Sequence, residues 1–100
     1  MTCEPVVMEM LAGVPPRQVA TAERALDAFR SLSIDEKRDF RAAGYLYARL
    51  RAEGRTVRGI MDCLIAHVAM CHEAVLVHTD RDFETIAAVS DLQQRWLPGI

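Results

Sequence analysis

From Val57 to Cys71 only Arg58, Asp62 and His67 break an otherwise apolar run. Three interruptions are too few to give a helix a wet face, so this segment reads as a helix buried on several sides. Such a helix must be covered by other elements of the same domain, and this demand limits the folds open to the chain. The run is also far too short to span a bilayer, since its longest apolar piece, Cys63 to Cys71, is itself interrupted by His67. "AVLVH", Ala74 to His78, follows directly and reads as a short, fully buried parallel strand. A last helix over Phe83 to Ser90 and a terminal strand in "QQRWLPGI" complete a helix–strand–helix–strand order, which favours an α/β layered fold.

The upstream half supplies the covering helices. Pro5 suits the first turn of a helix in "EPVVMEMLAG", with Gly13 as its stop. After the "VPP" connector, Val19, Ala22, Leu26, Phe29 and Leu32 recur at helical spacing, predicting a helix over Arg17 to Leu32. "SIDE" is a capping-box pattern with Ser33 as N-cap and Glu36 reaching back. The helix it opens runs to about Glu53, buries Phe40, Ala43, Leu46, Tyr47 and Leu50, and ends at Gly54.

Composition narrows the function classes. A hydrophobic content of 51% over 100 residues supports one domain with a real core and excludes a disordered tail. The net charge of −2 gives no basic footprint for nucleic acid, although eleven of the twelve basic residues are Arg. "MTCEPVVMEM" has neither a basic start nor a long apolar core, so no signal peptide is expected. Three cysteines without regular spacing suit reduced thiols in a cytoplasm. Cys71-His72 could form half a zinc site, while buried, inert thiols are the plainer reading of the cysteines.

Carboxylates stand at the margins of the most buried segments. Asp62 falls in the first turn of its helix, where the macrodipole alone would justify it. Asp80 and Asp82 follow the carboxyl end of the predicted strand, where turn chemistry or helix capping would explain either. Ligands of open parallel sheets bind beyond the carboxyl ends of the strands, and this arrangement brings Asp62 and Asp80 to one rim. Converging carboxylates repel unless a cation neutralises them, and hard oxygen ligands suit Mg²⁺ or Mn²⁺.

"VRGIMDCLIAHVAMCHEAVLVHTDRDFETIA" closely resembles the C-terminal motif block of PIN-domain ribonucleases, in particular VapC-type toxins of bacterial toxin–antitoxin pairs. "EPVVMEMLAG" resembles the family's second motif, and the helices between are similar too. The resemblance implies a PIN-like three-layer α/β fold with a short parallel sheet, mostly helical in this chain. It assigns the metal and catalytic roles to Glu9, Asp62 and Asp80, with Asp82 as a secondary metal candidate that could instead cap the next helix. The implied activity is an endoribonuclease in which Mg²⁺ (or Mn²⁺) held by these acids activates a water for attack on RNA.

The implied partners are a cognate antitoxin and a second copy of the chain, met through apolar helical stripes, with Tyr45 and Tyr47 on adjoining faces. Arg58, Arg81 and His78 are candidate phosphate contacts, set against solvated arginines and a strand-end packing histidine. The family's opening strand, which ends in an Asp, has no match here. The chain starts at what would be the second strand, around "MTCEP", so the resemblance marks residues 1–100 as a single, N-terminally truncated PIN-like domain. The alternative function is a catalytically inactive module that keeps only the antitoxin-binding or dimerisation surface.

Overall fold

A computed structural model describes residues 1–97. The chain forms two compact units, Met1–Ile34 and Asp35–Ile100.

In the first unit, α1 (Glu4–Ala12) opens with a proline in its first turn and ends at Gly13. A single 3-10 turn, Pro16–Gln18, leads into α2 (Val19–Asp27). The helix expected to reach Leu32 stops five residues early, because the backbone beyond Phe29 pairs with Thr2 instead. Thr2 N–H donates to the Arg30 carbonyl (2.8 Å), and Leu32 N–H donates to the Thr2 carbonyl (2.6 Å). These bonds form an isolated parallel bridge between Thr2 and Ser31, and "MTC" contributes no longer strand than that. Phe29 is consequently exposed while Leu26 is buried.

The second unit is built on α3 (Glu36–Ala52) packed against α4 (Ile60–Cys71). Asp35, not Ser33, caps α3: its side chain accepts the Arg38 N–H at 2.8 Å. The residue reaching back is Asp39 rather than Glu36, its Oδ2 accepting the Asp35 N–H at 2.7 Å. Asp39 is thereby drawn inside, 1% exposed, while Phe40, expected in the core, is 54% exposed. Burial alone would raise the Asp39 pKa, but the Asp35 N–H, Arg38 and His67 outweigh it and hold the carboxyl below its ordinary value.

Helix α3 ends in a Schellman motif around Gly54, at φ 72°, with Arg55 N–H donating to the Leu50 carbonyl (2.8 Å). Helix α4 ends in the same motif, but Glu73 holds the left-handed position at φ 52°, and Ala74 N–H donates to the Ala69 carbonyl (2.9 Å).

Helix α4 begins at Ile60, three residues later than its apolar pattern, since Val57 is buried in the preceding loop. Cys63, Leu64, Ile65, Ala66, Val68 and Ala69 are all buried, as a helix without a wet face requires. Strand β1 (Leu76–His78) and β2 (Gln94–Trp96) form a two-stranded parallel sheet, joined by α5 (Asp82–Ala87). Leu76 pairs with Gln94, Val77 with Arg95 and His78 with Trp96. The fold is therefore α/β and mostly helical, as expected. The strand is not fully buried, however: Val75 and Val77 are exposed and His78 is the covered end. The expected terminal strand shrinks to Gln94–Trp96, and its last residues, 98–100, lie outside the described residues. No helix among the described residues is long and apolar enough to cross a membrane.

Candidate active site

Three elements of the second unit each deliver one carboxylate to the same place. Asp62 stands in the first turn of α4, where the helix dipole favours negative charge. Asp80 follows the end of β1, and Asp82 is the first residue of α5. One oxygen from each of the three lies within 4.8 Å of the others, and all three residues are half-buried. Glu9 lies in α1 of the first unit and is exposed.

His78 fixes where Asp80 goes. Its ring, buried between Phe83 and Trp96 with centroids 5.1 and 5.0 Å away, has both nitrogens engaged. Nδ1 accepts the Asp80 N–H at 3.1 Å, which leaves the proton on Nε2, and Nε2–H donates to Gln94 Oε1 at 2.5 Å. With both nitrogens committed, the imidazole is a strut for the loop that carries Asp80, and no ring nitrogen remains to contact phosphate.

The start of α5 is braced by Asp80 and not by the Asp82 side chain. Asp80 Oδ1 accepts the Asp82 N–H at 2.9 Å, and its carbonyl accepts the Phe83 N–H at 3.2 Å, so Asp80 holds the turn that leads into α5. The Asp82 carboxylate does no capping. Its Oδ2 accepts the Arg58 backbone N–H (3.0 Å) and Arg58 Nε–H (3.2 Å). The same guanidinium donates through Nη2 to Asp80 Oδ2 at 2.5 Å. Its pKa is raised by the hydrogen bond to Asp82 and by the charge of Asp80. Arg58 is thus the protein's own counter-ion for two of the three acids, a role that sequence reasoning missed. Two acids two residues apart behind a strand, with an Arg before the preceding helix, was the available signal. Arg81 is exposed beside this centre.

The donor set fits a hard divalent ion: three carboxylates, oxygen only, close enough to share one cation. The thiols do not belong to it. Cys63 is fully buried and desolvation pushes its pKa up to about 11, while burial likewise raises that of Cys3.

The PIN domain family matches residues 1–89. Over 92 residues the chain is 46% identical to the VapC ribonuclease Mb1587 of Mycobacterium bovis and to ribonuclease VapC11 of Mycobacterium tuberculosis. Each of these alignments covers 91% of this chain and 69% of the relative. The chain belongs to the PIN-domain family, in its VapC branch. Its fold is similar to those in two solved structures of VapBC proteins. VapBC-1 from nontypeable Haemophilus influenzae gives a TM-score of 0.73 at 21% identity, covering 93% of this chain and 70% of that one. VapBC2 from Rickettsia felis, bound to a DNA fragment from their promoter, gives 0.68 at 22% identity, covering 95% and 72%. Of the four acids named as metal candidates, Asp62, Asp80 and the secondary candidate Asp82 converge within the second unit, while Glu9 belongs to the first.

Proposed function

We propose that this chain is the toxin of a toxin–antitoxin pair, a divalent-metal-dependent endoribonuclease, with Asp62, Asp80 and Asp82 as its metal ligands. The observation that carries this reading is the convergence of those three carboxylates in a chain whose relatives are named ribonucleases. Mg²⁺ or Mn²⁺, when bound, supplies Lewis-acid activation of water and of the scissile phosphate. The chain's own residues prepare for it. His78 and the start of α5 hold Asp80 in place, and the dipole of α4 lowers the cost of charge on Asp62. With a divalent ion held by Asp62, Asp80 and Asp82, Arg58 would no longer be needed as their counter-ion, and its guanidinium would be available to a phosphate of the RNA. Arg81, exposed nearby, is a second cation for the backbone. Glu9 is assigned to the chemistry by its match to the second motif alone. The partner is a cognate antitoxin, in keeping with the VapBC proteins named for the similar structures; a homodimer in the cytoplasm rests on the family resemblance alone.

The Arg58 bridge favours a second reading, a catalytically inactive PIN module that keeps only the partner-binding surface, because an internal counter-ion removes the need for metal. Cleavage of labelled single-stranded RNA, with Mg²⁺ and with EDTA, separates the two. Mg²⁺-dependent cleavage by the parent is expected, falling by about a hundredfold or more in Asp62→Asn and Asp80→Asn, the scale of losing one major charge-stabilising group. Glu9→Gln tests that residue separately. No cleavage by the parent overturns the nuclease reading, and cleavage indifferent to EDTA overturns its dependence on metal.

A further inference from the structure

A second convergence of ligand atoms lies between α3 and α4, and its chemistry differs from that of the acids. Asp39 is buried on α3, and His67 and Cys71 stand one turn apart on α4. His67 Nε2 lies 3.2 Å from Asp39 Oδ1 and 3.2 Å from Cys71 Sγ, and Sγ lies 4.0 Å from Oδ1. Three electron-pair donors of three kinds therefore face one small space. With Nε2–H directed at Asp39, the thiol is left to donate to Oδ1 across 4.0 Å; with the thiol donating to Nε2, that nitrogen has no proton for Asp39.

A tetrahedral ion would resolve this. With Zn–N and Zn–O near 2.1 Å and Zn–S near 2.3 Å, tetrahedral edges are about 3.4 Å for N–O and about 3.6 Å for N–S and O–S. The three observed separations lie within about 0.4 Å of those edges. The carboxylate is also aimed in advance, since the Asp35 N–H occupies Oδ2 and leaves Oδ1 turned to His67 and Cys71. Arg38 Nε–H also reaches Oδ1, at 3.1 Å, but its side chain is 68% exposed and can withdraw into water. Cys71 is exposed and His67 is 21% exposed, so the space is open to an arriving ion and to a fourth ligand from solvent.

We propose that Asp39, His67 and Cys71 form a binding site for a borderline-soft divalent ion of the Zn²⁺ class, separate in place and chemistry from the Asp62, Asp80 and Asp82 centre. The mixed oxygen, nitrogen and sulfur set selects against Mg²⁺, which takes oxygen ligands. The site ties α3 to α4, the two helices on which the second unit is built.

Co²⁺ is the probe, titrated into the full chain in excess Mg²⁺ so that the all-oxygen centre is filled. Thiolate coordination gives a sulfur-to-cobalt charge-transfer absorption that carboxylates cannot produce. The band is expected in the parent, saturating at one equivalent, and in Cys63→Ser. It is expected to be lost in Cys71→Ser, a change at an exposed position that leaves the core intact, and to need at least about tenfold more Co²⁺ in His67→Ala, the scale on which single-group changes alter metal affinity. A parent without the band, or a band that survives Cys71→Ser, overturns the proposal.

Discussion

Arg58 stands where a divalent ion would also be drawn, since its guanidinium already bonds Asp80 and Asp82 and its backbone N–H bonds Asp82. Cation and arginine compete for the same oxygens, so removing the arginine takes from Asp80 and Asp82 the positive charge that now faces them and favours an arriving ion. Arg58→Ala is expected to tighten Mn²⁺ binding about tenfold, toward the lower end of ordinary coupling between sites, as read by calorimetry. Unchanged or weaker binding would show that the guanidinium helps to assemble the acids rather than competing with metal. Asp62 and Asp80 were legible in the sequence because an acid at the edge of an apolar segment is conspicuous. Asp39 was not. It lies among charged residues at the start of α3, where acids are ordinary, and only the fold turns it inward to His67. The i,i+4 spacing of His67 and Cys71 was the one trace of that cluster, whereas the adjacent pair Cys71-His72 had drawn the attention.

At the scale of elements, apolar periodicity placed the helices and left their ends to local chemistry. Gly54 announced the end of α3 because its left-handed conformation suits glycine. The matching position after α4 is Glu73, which no breaker rule would select, and there the α4 terminus is closed by the Ala74 N–H to Ala69 carbonyl bond although the residue at the turn is not glycine. The left-handed region costs an L-residue roughly 1–2 kcal/mol, partly offset in glycine by its greater unfolded-state freedom. Glu73→Gly is therefore expected to stabilise the protein by about 1 kcal/mol in urea denaturation, with no change in slope. A loss of stability would mean that the glutamate side chain contributes more than its backbone strain costs. The overlong helix through Leu32 failed for a related reason. Helical spacing continues through Phe29 and Leu32, but the Thr2 backbone offers Arg30 and Leu32 hydrogen bonds that a helix would forgo.

At the scale of the molecule, α4 is the element on which both candidate ion sites depend. Asp62 is in its first turn, and His67 and Cys71 are in its second half, so the two sites share a helix but no ligand. An ion that binds only the folded arrangement stabilises it by mass action, by about 2.7 kcal/mol at a hundred times its dissociation constant. The chain forms two compact units, so a single melting temperature is a poor gauge of that effect, and amide hydrogen exchange along α4 is the direct one. Saturating Mg²⁺ is expected to slow exchange of the α4 amides by up to about a hundredfold, the rate equivalent of that stabilisation. The slowing should vanish in an Asp62→Asn, Asp80→Asn double variant, which removes two carboxylate charges from the site while keeping side-chain volume. It should persist in Cys71→Ser, because sulfur has no part in holding Mg²⁺. Protection lost in Cys71→Ser and kept in the double variant would reverse the assignment of the two sites along the helix.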